Sequence, residues 1–389
     1  MNNFEITTPT TIVFGKNQLT RVSQLLKNQA ADGKVIVLYG GGSIEKSGFL
    51  DKLKQELTDL EIHFFKGIEA NPEYTTLMRA VEYIREHRIG YMLAVGGGSV
   101  IDGAKFISGA VNYEGDPWNV LNQVPGCTFT SAVPFGCILT IPATGSESNS
   151  GAVISRSELK EKRTMGGPLF FPKFALLDPT FVATLPKRQI ANGIIDAFTH
   201  TMEQYLTFKG ENLLQERYAE GILLTLIEIG EKVLENPEDY DLAANLMWCA
   251  NQALNGVLRC GVTTDWATHM IGHELTALHG IDHAQSLAII APRLYEVKFE
   301  SKKVKLAQYG KRVWNLEGLD EQVARKAIVK TEEFFHKLNV KTRISEYTSD
   351  YHDTAQIIHD RFVQRGWLGL GENKDLTPKE AEYIVNQAI

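Results

Sequence analysis

The stretch "YMLAVGGGSVIDGAKF", residues 91–106, decides the fold. An apolar run meets three glycines and a serine, and the chain then reads as a helix beginning near Val100. A buried strand feeding a helix through a glycine turn is the first half of a strand–helix–strand unit. Upstream, "KVIVLYGGGS" (34–43) repeats the pattern, and "NPEYTTLMRAVEYIREH" (71–87) between them reads as a helix. Leu77, Ala80, Val81 and Ile84 make its apolar stripe, with Asn71 placed as its cap and Pro72 at its first position. "CILTIPA" (137–143) and "FALLDP" (174–179) read as later strands. This alternation predicts an α/β domain with a mostly parallel sheet.

Beyond "TLPKRQ" (184–189) the pattern changes. "LLQERYAEGILLTLIEIGEKVLE" (213–235) and "EQVARKAIVKTEEFFHKLN" (321–339) carry helical periodicity, and Thr377, Pro378 and Glu380 predict a capping box for a last helix. The chain therefore divides near Phe181–Pro186, into an α/β domain over 1–182 and an all-helical domain over 183–389.

Composition narrows the function classes. At 389 residues and a net charge of −7, the chain lacks the clustered positive surface that nucleic acid requires. No apolar run reaches the roughly 18–20 residues of a membrane span. The start, "MNNFEITTPT", has no export pattern, and Cys127, Cys137, Cys249 and Cys260 are widely spaced with no CxxC. The expectation is a cytoplasmic protein with reduced thiols.

Neither glycine turn is GxGxxG. Gly96-Gly97-Gly98-Ser99 with Asp102 in the following helix serves either as a tight connection or as a cradle for a pyrophosphate. An acid ending the earlier strand would bind a ribose hydroxyl and repel a 2′-phosphate. Here Gly40, Gly41, Gly42 and Ser43 bring no acid before Glu45, followed by Lys46, so a bound dinucleotide would be the phosphorylated one. "TIPATGSESNSGAVISR" (140–156) is a polar segment that could line the same groove.

Four of ten histidines, His269, His273, His279 and His283, fall within fifteen residues. His269 and His273 share a helix face, as do Asp196 and His200 in "GIIDAFTHTMEQY". Asp196, His200, His269 and His283 would give three nitrogens and one oxygen, a set suited to Zn²⁺ or Fe²⁺; each histidine alone could equally be structural. "HELTALH" is not HExxH, because position 277 is Ala277. The windows 189–208 and 260–292 contain no lysine or arginine, which favours a small uncharged substrate over a phosphorylated one.

These residues resemble a known family, the metal-dependent (group III, iron-containing) alcohol dehydrogenases, in particular their butanol dehydrogenase and NADPH-dependent aldehyde reductase branch. The resemblance runs from "MNNFEITTPTTIVFGK" through "AVGGGSVIDGAKF", "IPATGSESN", "QIANGIIDAFTHTMEQY" and "DWATHMIGHELTALHGIDHAQ" to "LGENKDLT". It implies an N-terminal α/β nucleotide-binding domain and an all-helical C-terminal metal and substrate domain. It implies one divalent metal on Asp196, His200, His269 and His283, and NADP(H) against Gly40–Ser43, Gly97, Gly98, Ser99, Asp102, Thr140, Thr144, Asn149 and Lys162. It further implies His273 as proton relay, an aldehyde or alcohol substrate, and a homodimer formed partly through the N-terminal strand. His279 has no family role and reads as structural. Dehydroquinate synthase-type lyases share the plan and are the alternative, disfavoured by their phosphorylated, anionic substrates.

Overall fold

The computed structural model describes residues 1–30, 33–207 and 212–389, which form two compact units. One comprises Thr7–Leu185 with Pro237–Met247; the other comprises Met1–Ile6, Pro186–Asn236 and Trp248–Ile389.

The first unit has eight strands: β1 (Thr11–Phe14), β2 (Lys34–Tyr39), β3 (Glu61–Lys66), β4 (Tyr91–Gly96), β5 (Phe135–Leu139), β6 (Gly151–Arg156), β7 (Glu161–Gly166) and β8 (Phe174–Leu177). Six form one sheet in the order β1-β8-β5-β4-β2-β3, and every pairing in it is parallel. β4 and β5 are buried at every position, and β2 at every position but Lys34. Continuous apolar runs such as "VIVLY" and "YMLAV" suit strands covered on both faces. Val37 lies opposite Phe64 on one side and Leu93 on the other.

From β2 the chain adds β3 outward, then returns through the Tyr74–His87 helix to place β4 on the other flank of β2. That reversal makes the carboxyl ends of β2 and β4 the crevice where such sheets bind ligands. Both glycine turns sit there.

Two local expectations are corrected. The helix after β3 starts at Tyr74, with Glu73 rather than Asn71 at the cap position. Asn71 is held in a left-handed conformation (φ 63°), and its side-chain oxygen takes a hydrogen bond from Lys162 Nζ at 3.1 Å. Glu73 accepts from the Ser157 backbone and hydroxyl, so tertiary contacts hold 71–73 outside the helix. The end of the polar segment 140–156 is not loop: Gly151–Arg156 pairs with Glu161–Gly166 in the antiparallel β6–β7 hairpin, which sets Ser155 opposite Lys162.

The second unit is helical after Pro186; among the described residues its only extended pairing is an isolated bridge between Leu370 and Leu376. The Lys187–Tyr205 helix is buried without interruption from Gly193 to Tyr205 and packs against the Leu213–Glu235 and His283–Val297 helices. A helix enclosed on all sides must seat its polar side chains against partners rather than water. The Ala267–His279 helix ends at Gly280 in a left-handed conformation (φ 67°). The next begins at His283. The two helices approach closely at Gly272, where a Cβ would stand 2.9 Å from Ser286 Oγ. Among the described residues, no helix is long and apolar enough to cross a membrane.

Candidate metal centre and nucleotide turn

Asp196 and His200 lie one turn apart on the buried Lys187–Tyr205 helix, and His269 faces them from the Ala267–His279 helix. One ligand atom from each of the three lies within 4.8 Å of the others. His283, first residue of its helix, brings Nε2 to 3.6 Å from Asp196 Oδ1, and its ring centre to 5.2 Å from that of His269. Its helix start is tied down by Asn192, which donates to Asp282 at 2.8 Å. All four residues read from spacing are thus gathered in one place within the helical unit.

The donors fit a divalent cation. His200 and His283 both turn Nε2 toward Asp196 Oδ1, at 3.7 and 3.6 Å. A carboxylate as buried as that of Asp196 is costly unless its charge is balanced, which a cation among these donors would do. Burial, opposed by the Asp196 carboxylate and reinforced by His269, pushes the His200 pKa down to about 4. At neutral pH the imidazole is therefore uncharged, the form that binds metals. Three imidazoles with one carboxylate suit Fe²⁺ or Zn²⁺.

His273 is buried, with its ring centre 5.1 Å from that of His283 and 6.3 Å from that of His269. His279 points elsewhere, with Nε2 2.8 Å from Thr354 Oγ1. Trp266, just before the helix, sets its ring centre 5.3 Å from His269 and 6.1 Å from His200.

Sequence reading passed over Glu203, two turns along from Asp196 on the same helix face. Its side chain is 1% exposed; one oxygen meets His269 Nδ1 and the other accepts Thr268 N–H at 2.6 Å. Burial and the Asp265 carboxylate push its pKa up, which makes an N–H partner at each oxygen the more necessary. A signal was available: 189–208 contains two acids and no lysine or arginine, so the second acid needed a partner from elsewhere. Lys302, from outside both windows, also reaches this region, but Asp265 at 2.6 Å and Glu372 at 2.8 Å balance its charge.

In the α/β unit, the Gly98–Ala110 helix begins at the end of β4, so its first N–H groups point into the switch-point crevice. Gly98 is required by packing, since a Cβ there would lie 2.4 Å from Thr144 Oγ1. A Cβ on Gly97 would press Ile141 at 3.1 Å, whereas one on Gly41 would meet nothing within 4 Å. Ser99 Oγ accepts Asn71 N–H at 3.3 Å, and Asn71 in turn holds Lys162, so these three share the turn. Thr140 N–H reaches Gly96 O at 2.9 Å.

Asp102 and Asn149 face inward. Asp102 accepts from Ser146 Oγ at 2.5 Å and Val153 N–H at 2.9 Å. Asn149 Oδ1 accepts from Lys105 Nζ at 2.9 Å. Lys105, absent from the sequence reading, is fully buried and also donates to Ser146 Oγ and Gly151 O, both at 2.7 Å. Asp102, Asn149 and Lys105 thus build the loop around the turn. At the other turn, Glu45 is held by Lys66 at 2.5 Å and by the Tyr39 hydroxyl at 3.0 Å. Lys66, not Lys46, is the cation tied to Glu45 beside Gly42. The Ser43 side chain lies outside the described residues.

A buried imidazole–carboxylate centre on helices, together with glycine turns at the switch point of a parallel sheet, describes the metal-dependent dehydrogenases as a class. Comparison with known proteins narrows this. Residues 9–179 match the family model described as iron-containing alcohol dehydrogenase, and residues 190–377 match the C-terminal model of the Fe-containing alcohol dehydrogenase family. The chain belongs to the iron-containing alcohol dehydrogenases. It is 50% identical to the NADPH-dependent aldehyde reductase YqhD of Escherichia coli over the whole of both chains. It is 36% identical to a probable NADH-dependent butanol dehydrogenase of Bacillus subtilis, again over both full lengths. The crystal structure of E. coli YqhD superposes with a TM-score of 0.96 at 48% identity, covering 100% of this chain and 99% of that one. The NADH-dependent butanol dehydrogenase A of Thermotoga maritima superposes with a TM-score of 0.94 at 32% identity, with the same coverage. Family membership sets the lyase alternative aside.

Proposed function

We propose that the protein reduces short and medium-chain aldehydes to primary alcohols, reversibly, with NADPH and a divalent metal. The reading is carried by the clustering of Asp196, His200 and His269 in a chain half identical to an NADPH-dependent aldehyde reductase.

Asp196, His200, His269 and His283 would hold the metal. When bound, a metal of this kind supplies a Lewis acid that polarises a carbonyl oxygen and lowers the pKa of an alcohol. NADPH supplies the hydride. Asp196 contributes the negative charge that a divalent cation requires, and His200 stays neutral because it is buried. His273, a short distance from His283, holds or passes the proton that the product oxygen takes up at one of its ring nitrogens. The first-turn N–H groups at Gly97–Ser99 bind the pyrophosphate, and Lys162 acts beside them through its position on Asn71. Lys66 at the end of β3 favours the 2′-phosphate of NADPH. The charge-poor helix windows suit an uncharged aldehyde.

Among the described residues β1 is paired on one flank only, with β8. A strand at the edge of a sheet is a template for pairing, which supports a homodimer formed there. Free cysteines suit a cytoplasmic location.

The test is NADPH oxidation by metal-loaded protein with butanal, against a chelated control. Metal-dependent consumption is expected. Silence with NADPH, NADH and a panel of aldehydes would overturn the reading. Light scattering checks the dimer.

A further inference from the structure

The buried groups around His269 form a connected scaffold that ligand binding alone does not account for. Glu203 is on the helix of Asp196 and His200, and its two oxygens are shared between His269 Nδ1 and the Thr268 backbone N–H. Its backbone carbonyl accepts Asp265 N–H at 2.9 Å. Asp265 caps the start of the histidine-bearing helix, accepting Ala267 N–H at 2.9 Å. The other Asp265 oxygen takes Lys302 Nζ at 2.6 Å, and Lys302 is itself fixed by Glu372 and by the Leu206 carbonyl at 2.8 Å. Thr268, Asp265 and Lys302 therefore leave Glu203 little freedom to turn away from His269.

An imidazole carries its ligating lone pair on whichever nitrogen lacks the proton, and a partner at one nitrogen settles which that is. We propose that Glu203 is a positioning residue that keeps the proton of His269 on Nδ1 and so turns Nε2 toward Asp196 and His200. The Lys302–Asp265–Glu372 cluster braces it. The inference rests on the metal reading above. It adds a residue that touches neither substrate nor cofactor and acts only through His269. Outer partners of this kind typically change metal affinity tenfold to a hundredfold when lost.

The test uses full-length, metal-depleted protein titrated with Co²⁺ against a competing chelator, with the visible spectrum of the bound ion as a second readout. Glu203→Gln keeps the volume but cannot accept from both N–H donors. It is expected to weaken Co²⁺ about tenfold to a hundredfold and to change the visible bands. Glu274→Gln is the control, because Glu274 is equally buried, on the helix that carries His269, but is held by Arg361 and Arg365. It should cost thermal stability without changing Co²⁺ affinity. Identical affinity and spectrum in wild type and Glu203→Gln would overturn the proposal, as would equal losses in both variants. If Glu203→Gln does not fold, nitrogen-15 NMR of wild-type histidines decides, with His269 assigned by His269→Gln. A proton on Nδ1 is expected, and a proton on Nε2 refutes the role. Failure of wild type itself to bind Co²⁺ would instead sink the metal reading, while the NMR would still report on Glu203.

Discussion

The imidazoles of His200 and His269 lie almost parallel, with ring centres 4.7 Å apart and planes 17° from one another. They come from separate helices, and both are buried. Burial is the main cause that pushes the His200 pKa down, and repulsion between two imidazoles this close adds to it against the pull of Asp196. The pair is arranged as neutral donors beside one carboxylate.

His200→Ala should therefore lose bound metal and turnover together, while NADPH still binds the α/β unit. Metal content by elemental analysis and NADPH affinity by fluorescence check this. Full metal occupancy in the variant would remove His200 from the ligand set.

Nucleotide choice follows from a different pair. Lys66 is tied to Glu45 beside the turn that ends β2, so the acid there is matched by a cation that a 2′-phosphate would engage. Lys66→Ala should lower the ratio of kcat/KM for NADPH over NADH by about tenfold, corresponding to one charge-assisted contact of about 1.5 kcal/mol. The change should fall on KM for NADPH. An unaltered ratio would place the phosphate elsewhere.

The parts that sequence made legible were those with a local signature. The 213–235 helix was read to its observed ends, because an uninterrupted apolar period marks both. The capping box at Thr377 and Glu380 is present as a reciprocal pair of side-chain contacts. Asp196 and His200 stand out because an i, i+4 spacing puts two donors on one face, and the structure brings His269 and His283 near them. What escaped depended on partners distant in the chain. Asn71 has the composition of a cap, yet Lys162, 91 residues away, takes its side chain. The β6–β7 hairpin is polar and short, so it reads as loop until the pairing is seen. Glu203 looked like any helical glutamate, because its significance lies in His269, 66 residues on. The absence of basic residues near the histidines held within the windows read, and Lys302 entered from outside them.

Lys105 gives a prediction about pH. Burial pushes its pKa from the usual 10.5 down to about 8, against the pull of Asp102. In the unfolded chain the lysine keeps its proton up to about 10.5, but in the folded chain only to about 8. Between those values the unfolded state binds more protons, so raising the pH through that window stabilises the fold. Relative to Lys105→Met, the wild type should gain on the order of 3 kcal/mol across it. Urea melts of both proteins from about pH 7.5 to about pH 10 check the slope. Parallel curves would mean that Lys105 titrates normally.

Trp266 bears on substrate length. It adopts a left-handed backbone conformation (φ 72°), unusual for a bulky residue, and its indole N–H donates to Thr264 Oγ1 at 2.7 Å. These constraints hold the ring beside His200 and His269, next to the candidate metal centre. Trp266→Ala should open space there and raise kcat/KM for longer or branched aldehydes relative to butanal by about tenfold, the lower end of what one methylene-sized contact discriminates. Trp266→Gly separates this from backbone strain, since glycine accepts the left-handed conformation and should recover about 1 kcal/mol of stability over the alanine variant. Both variants should show the same shift in substrate preference and differ only in melting temperature. A uniform loss across all aldehydes, with the ratio unchanged, would make Trp266 a packing residue with no part in selection.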